Sequence, residues 1–359
     1  MNAELEPPLA QIDSCRDLPL KRAKIDHSQG FELQPGQILD GRFVIGEPLS
    51  RGGMATIYVA EDVKDRARKL AIKVPFTRFE RDPAYVARFL REESIGLQLD
   101  HPALLKFIPV HGEKSRLYLV TEYLTGCTLA SLLFQRAPLP ECDALRIASL
   151  VCDALHYLHA RGFIHRDLKP DNIMLCRDQT IRIMDFGLAA PITGRLDFLA
   201  DKTPIFGTPQ YMAPEQVKRS HCDARTDIYS LGVILYEMLT GQLPFNHEDP
   251  WVIAQSRVAG DPAAPRQLNP AISPQAEEIV LHAMQRKSAA RPADAAAFQA
   301  ELDAPERVQV TGLAQCLRPP RWVMSFEQAQ ILYGVGISVA VFVGLIGAFF
   351  ALMHLPHGH

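Results

Sequence analysis

The 359-residue sequence has almost no net charge: 38 lysines and arginines stand against 41 aspartates and glutamates. A chain so balanced has no field with which to gather a polyanion, so no nucleic acid is expected among its partners. Paired cysteines are also missing. The seven present, at positions 15, 127, 142, 152, 176, 222 and 316, include no C-x-x-C, which argues against a zinc site and a disulfide framework and predicts reduced thiols. Met1 to Pro8 contains no apolar run of the kind a secretory signal requires, so the chain is expected to start in the cytoplasm. What the chain does have is 47% hydrophobic residues over a length that suits one large or two ordinary domains, enough for a sizeable core.

Residues 1–38 carry Pro7, Pro8, Pro19 and Pro35, mixed charges and no sustained apolar period. They are expected to form a flexible arm with Lys21, Arg22 and Lys24 solvated. Strand patterns follow at Phe43 to Leu49, Thr56 to Glu61 and Leu70 to Pro75, the first two joined by a turn from Ser50 to Ala55 that holds Gly52 and Gly53. A hairpin tip of bare backbone lets N–H groups approach phosphate oxygens. Tyr85 to Leu99 has helical spacing, with Val86, Phe89, Leu90 and Leu97 apolar. It offers Glu92 and Glu93 about 100° apart around the helix, so only one can face a given partner and the other, Glu93, is expected in solvent. Pro140 to Arg161 is a second helix, with an apolar face of Leu145, Ile147, Ala148, Val151, Leu155 and Leu158.

Beyond Asp303 the pattern turns irregular, with Pro305, Pro319 and Pro320, and residues 304–330 read as a linker. Ile331 to Met353 is then 23 residues without a charge. At about 1.5 Å per residue a helix of that length crosses a hydrocarbon core of roughly 30 Å, so a transmembrane helix is expected over 331–353. Arg318 and Arg321 before the span predict that the preceding domain stays cytoplasmic, at a plasma or inner membrane crossed once. Residues 354–359 would form a short extracytoplasmic tail, too short for a sensor. Gly336, Ala340, Gly344 and Ala348 recur every four residues, a small-residue stripe on which a second copy could pack as a homodimer.

The chemistry is concentrated in Phe163-Ile164-His165-Arg166-Asp167-Leu168-Lys169-Pro170-Asp171-Asn172. Asp167 can accept a hydroxyl proton, Lys169 can neutralise charge on a phosphoryl group in transfer, and the Asn172 amide oxygen can hold a divalent cation. Asp185-Phe186-Gly187 follows, and Ala213-Pro214-Glu215 closes the segment it opens. These motifs, with Ala71-Ile72-Lys73-Val74 upstream, resemble the signature set of protein kinases, specifically the eukaryotic-like (Hanks-type) serine/threonine kinases of bacteria. The resemblance covers about residues 42–302. It implies an α+β, two-lobed kinase fold over 39–303, with a small β-rich lobe and a large helical lobe.

That resemblance also assigns roles. Lys73, held by Glu92, would position the α and β phosphates of ATP; Asp167 would be the base; Lys169 and Thr208 would steady the phosphoryl group and the base. Asn172 and Asp185 would hold Mg²⁺, with Mn²⁺ as a substitute. The nucleotide would lie among Leu49, Ser50, Gly52, Gly53, Ile57, Ala71 and Met174, its adenine edge bonded by backbone of Glu122 and Leu124, with Thr121 at the gatekeeper position. Ser50 and Ala55 stand where the family has glycines, which predicts weaker ATP binding. Asp227 would bond the catalytic-loop backbone and Arg291 would pair with Glu215. Arg166 would pair with a phosphate on Thr203, or on Thr193, placed there by autophosphorylation. Protein substrates would be modified on serine or threonine, since a lysine two residues after the base is the serine/threonine form of the loop. The competing expectation, favoured only by Ser50, is a membrane-tethered pseudokinase that binds nucleotide and partners without chemistry.

Overall fold

The computed structural model describes residues 32–192 and 208–320. The small lobe is a five-stranded antiparallel sheet in the order β1 (Ile38–Leu39), β2 (Phe43–Arg51), β3 (Ala55–Asp62), β4 (Asp65–Pro75) and β5 (Leu119–Glu122). Alternation decides its faces. Tyr58, Ala60, Leu70, Ile72 and Val74 are buried with Phe43, Ile45 and Val120 in one apolar cluster, whereas Ile57, Val59, Ala71 and Lys73 alternate with them and are half-buried on the opposite face. Ile57 pairs with Lys73 and Val59 with Ala71, so these four side chains share one patch.

Helix α1 (Pro83–Gly96) crosses this lobe. Its start is set by Pro83 in the first turn and by the Asp82 side chain, which accepts from the amides of Ala84 and Tyr85. The buried face is Tyr85, Phe89, Glu92, Ile95 and Gly96. Leu90 and Leu97, which the spacing placed with the apolar residues, are 48% and 44% exposed. The face is instead rotated toward Glu92, because a carboxylate paired with the half-buried Lys73 can occupy an interior position that the apolar count alone would not give it.

The large lobe contains β6 (Gly126–Thr128), α2 (Leu129–Arg136), α3 (Glu141–Ala160), β7 (Phe163–Ile164), β8 (Ile173–Cys176), β9 (Ile181–Ile183) and β10 (Ala190–Pro191). It continues through α4 (Pro214–Val217), α5 (Ala224–Thr240), α6 (Pro250–Ala259), α7 (Pro265–Leu268), α8 (Pro274–Ala283) and α9 (Ala295–Asp303). Helix α5 is its axis: Asp223 caps the first turn, Gly241 ends the helix at φ 72°, and every residue from Thr226 to Tyr236 is buried. Two short sheets, β6-β8-β9 and β7-β10, carry the irregular segments between them.

Folded structure extends past the expected edges at both ends. Residues 32–38, assigned to the arm by composition, include Leu33, which is 3% exposed in the small-lobe core, and Glu32, which accepts from Thr77 and Arg116. Residues 304–320 lie as a strap on the large lobe. The carboxylate of Glu278 on α8 accepts from the Thr311 amide and hydroxyl and from the Leu313 amide, and Asp261 exchanges backbone and side-chain bonds with Arg318. Gly260 is required there, since a Cβ would come within 2.2 Å of the Pro320 nitrogen. Cysteines 142, 152, 176, 222 and 316 are free thiols as expected, but Cys127 is disulfide-bonded, against the expectation of reduced thiols throughout. Among the described residues no helix is long and apolar enough to cross a membrane. The 331–353 run, Thr193, Thr203 and residues 1–31 lie outside them.

Candidate active site

The His165–Asn172 loop is built around a buried carboxylate. Asp227, fully buried on α5, accepts from the amides of His165 and Arg166, both at 2.8 Å, and from His159 Nε2 at 2.8 Å. Burial alone would raise its pKa, but these donors and the two histidines hold it below the usual aspartate value. The bonds hold Arg166 at φ 67°, a left-handed conformation that a side chain seldom adopts unaided. Gln216 adds a brace, donating to the Arg166 carbonyl at 2.8 Å while its oxygen accepts from the Ala213 amide. The His165 ring then bridges two functional segments: Nδ1 accepts from the Asp167 amide at 3.3 Å and Nε2 lies 3.1 Å from the Met184 carbonyl, which fixes the tautomer with the proton on Nε2.

On this seat the reactive side chains converge. Lys169 Nζ donates to Asp167 Oδ2 and to Thr208 Oγ1, each at 3.0 Å, so the sequence-predicted base, cation and threonine form one chain of contacts. Asn172 donates its amide hydrogens to the Asp167 carbonyl at 2.8 Å and, weakly, to Oδ2 at 3.5 Å. That fixes the orientation of the amide and leaves its oxygen as the free acceptor. The Met184 amide donates to the Asn172 carbonyl at 2.8 Å, tying the loop to the residue before Asp185.

Asp185 is the second non-glycine site residue held left-handed, at φ 64°, with Oδ1 accepting from the Gly187 amide at 3.2 Å. Lys73 lies 3.9 Å from Oδ1, and its charge, with the Gly187 bond, outweighs burial and keeps this carboxyl below the usual aspartate value. Lys73 Nζ donates to both Glu92 oxygens, at 2.8 and 2.9 Å. Burial opposes the charge on each partner, yet the two carboxylates raise the lysine well above its ordinary value, so the lysine stays cationic. Glu92 is pushed up by burial and by Asp185, against the pull of Lys73. The Phe186 ring, fully buried, packs 5.7 Å from His165 and 6.0 Å from Phe107. Gly96 makes room for Phe107, whose ring would be 2.4 Å from a Cβ at that position.

Glu93 is not in solvent as expected. Lys114 donates to it at 2.5 Å and to the Tyr118 carbonyl at 2.9 Å, while Arg116 donates to Glu80 just before α1. Consecutive residues of one helix are thus gripped from two sides. No signal in the local pattern marks Lys114, which lies in an irregular stretch twenty-one residues away.

The nucleotide-site residues named from sequence fall on the expected elements. Leu49, Ile57, Ala71 and Lys73 are all half-buried on the small-lobe sheet. Ser50 pairs with Ile57 at the mouth of the hairpin, and Gly52 closes its tip by donating to the Ala55 carbonyl at 2.9 Å, with Gly53 exposed and open. Thr121 and Glu122 end β5, with Leu124 two residues on. Met174 lies in β8, 8% exposed, across from Thr128. For the metal, the structure supplies oxygen donors alone, the Asp185 carboxylate and the oriented Asn172 amide oxygen; two hard ligands from protein, with phosphate and water completing the shell, suit Mg²⁺. Among the described residues no group of three or more His, Cys, Asp or Glu could hold a metal without such help.

The family model for the protein kinase domain matches residues 43–302. The chain belongs to the protein kinase family. Among similar proteins, the serine/threonine-protein kinase PknB of Mycolicibacterium smegmatis is 35% identical over 271 residues, covering 74% of this chain and 43% of its own length. A probable serine/threonine-protein kinase of Streptomyces coelicolor is 39% identical over 252 residues, covering 68% of this chain and 37% of its own. A probable PknB of Lactococcus lactis is 35% identical over 251 residues, 70% and 40% respectively. The chain thus matches about two fifths of the length of these relatives.

Within a kinase fold the second seat of order is the anchor of the segment that ends at α4. Glu215 is paired with the buried Arg291 through two bonds of 2.7 and 2.8 Å and also accepts from Thr226 at 2.9 Å. Burial would raise the Glu215 carboxyl, but Arg291 keeps it below its ordinary value. This pairing was legible from Ala290-Arg291-Pro292. The brace from Gln216 and the His159 contact to Asp227 were not, although both side chains flank the motifs.

Proposed function

We propose that this chain is a protein-serine/threonine kinase that transfers the γ-phosphoryl group of ATP to hydroxyls of protein substrates and of its own activation segment, anchored to a membrane through residues 331–353. The observation that supports the activity is the contact chain from Asp167 through Lys169 to Thr208, two steps of 3.0 Å each. ATP and Mg²⁺ supply the transferable phosphoryl group and the charge neutralisation of its oxygens. Asn172 and Asp185 would hold the metal. Lys73, fixed by Glu92, binds the phosphates; Asp167 takes the proton of the incoming hydroxyl; Lys169 balances the charge that develops next to it. The names of the relatives support serine and threonine as acceptors. The uncharged 331–353 run and Arg318 with Arg321 support the anchor and a cytoplasmic kinase domain. The small-residue stripe supports pairing of two copies through that helix.

The test is phosphate transfer from labelled ATP with Mg²⁺ by the full chain in detergent micelles, beside Lys73→Met and Asp185→Asn, with mass spectrometry of the products. Label on serine or threonine in the wild type alone is expected, with Thr203 or Thr193 modified. Bound ATP without any transfer would overturn the assignment and leave a nucleotide-binding scaffold. Recovery of the full chain in the salt-washed membrane fraction, and of a chain ending at residue 330 in the soluble one, is the matching result for the anchor.

A further inference from the structure

Among the described residues, Arg257 is the largest side chain that is entirely buried. A guanidinium cannot shed its charge, so burying one demands hydrogen bonds for its donors and usually an anion. Among the described residues no carboxylate pairs with it. Its donors go to backbone carbonyls instead: Nη1 to Met212, Nη2 to Gln210 at 3.0 Å, and Nε to Ile253 of its own helix at 3.4 Å, with the Phe245 ring centroid 5.6 Å from the guanidinium. Burial accordingly depresses its pKa.

The two carbonyls it reaches belong to the stretch that follows Thr208, whose hydroxyl contacts Lys169. The carbonyl between them, of Tyr211, accepts from Ser230 on α5 at 2.8 Å. Three successive carbonyls of an irregular backbone, which have no partners of their own, are therefore taken by two helices in alternation: α6, α5, α6. Tyr211 adds a bond from its hydroxyl to Glu237 at 2.7 Å, and Met212 packs with Val217 on Ala254 of α6. A fork with two terminal nitrogens bridges carbonyls two residues apart in a fixed planar geometry, which the rotating donors of a single ammonium do not impose.

We infer that Arg257 is a positioning residue for protein-substrate docking: by clamping the Gln210 and Met212 carbonyls from α6 it holds the 208–212 loop in the shape that receives the acceptor polypeptide next to Asp167. The inference rests on the protein kinase reading given above. It differs from a general folding role because, among the described residues, the nucleotide-binding side chains Lys73, Glu92, Asn172 and Asp185 make no hydrogen bond or ion pair with Arg257 or with the loop it holds.

The experiment compares full-chain wild type, Arg257→Met and Arg257→Lys in detergent, with myelin basic protein as acceptor, and measures KM for acceptor and for ATP, kcat, and the number of ATP sites by calorimetry. Arg257→Met is expected to raise the acceptor KM about ten-fold or more while the ATP KM and site number stay within about two-fold, and Arg257→Lys to fall between. A lower kcat with both KM values unchanged, an equal loss toward ATP and acceptor, or a wild-type acceptor KM in Arg257→Lys overturns the inference. So does failure of both variants to bind ATP, which would make Arg257 a folding residue. Failure of the wild type itself to transfer phosphate would instead strike the kinase reading.

Discussion

Replacing Arg291 with methionine tests a buried ion pair of the large lobe. The arginine side chain is 0% exposed and Glu215 11%, and the guanidinium also donates to the carbonyls of Gln285 at 2.7 Å and Arg225 at 2.8 Å and lies 4.8 Å from the Tyr229 ring. Methionine keeps the volume and removes every donor. Glu215 is left as a buried carboxylate with only Thr226 to bond it, and removing one partner of such a pair costs about 3–5 kcal/mol. The three carbonyls that lose this donor, of Gln285, Arg225 and, at 3.4 Å, Arg286, push the value toward the upper end of that range. For a domain of this size about 2 °C of Tm goes with each kcal/mol, so the variant should melt roughly 6–10 °C below wild type at pH 7. Differential scanning calorimetry with Arg291→Met, and with Arg291→Met combined with Glu215→Leu, is the assay. The double variant should regain part of the loss, because an apolar pair carries no desolvation penalty. Acid adds a second check. Arg291 keeps the folded Glu215 below its ordinary value of 4.5, so the unfolded chain binds the proton first as pH falls. The pair's contribution is therefore complete above about 4.5 and is lost as pH drops through the folded value, and the gap between wild type and variant should narrow there. A single variant within 1 °C of wild type at pH 7, or a gap that widens in acid, would refute the argument.

Asp167→Asn retains the Asn172 and Lys169 contacts in shape and should lower kcat by about 10²–10⁴ with little change in Tm, as measured by transfer assay and calorimetry. Lys114→Met should loosen α1 through Glu93 and lower kcat/KM for ATP, while the charge exchange Lys114→Glu with Glu93→Lys restores part of it; wild-type kinetics in Lys114→Met would remove that lysine from the argument. Thr203→Ala combined with Thr193→Ala should reduce activity toward an added acceptor, and full activity would sink activation through Arg166.

Much of the candidate site's geometry was legible because the residue types that phosphoryl transfer would need, at Asp167, Lys169, Asn172 and Asp185, lie in short contiguous motifs. The fold followed from the same anchors and from alternation in the small-lobe strands. What escaped has a common physical form. Lys114 with Glu93, and Arg257 with the 208–212 carbonyls, are long-range partnerships between a cation and a group that carries no local pattern; a backbone carbonyl has no letter in the sequence. The rotation of α1 was misjudged because Leu90 and Leu97 counted as apolar while Glu92, a charge, holds the interior position. Residues 304–320 looked like a linker since their contacts are polar and irregular, set by Glu278 and Asp261 rather than by any apolar period.

The strap has a mechanical consequence. A flexible chain of seventeen residues has an r.m.s. span of roughly 23 Å, and docking 304–320 onto α8 and Gly260 takes that slack out of any leash attached after Pro320. Pro320 lies against Gly260 at the foot of α6, the helix that carries Arg257, and not at the end of α9. The radius over which a tethered kinase could search, and the side of the lobe turned toward its tether, would then be set by two carboxylates and one glycine.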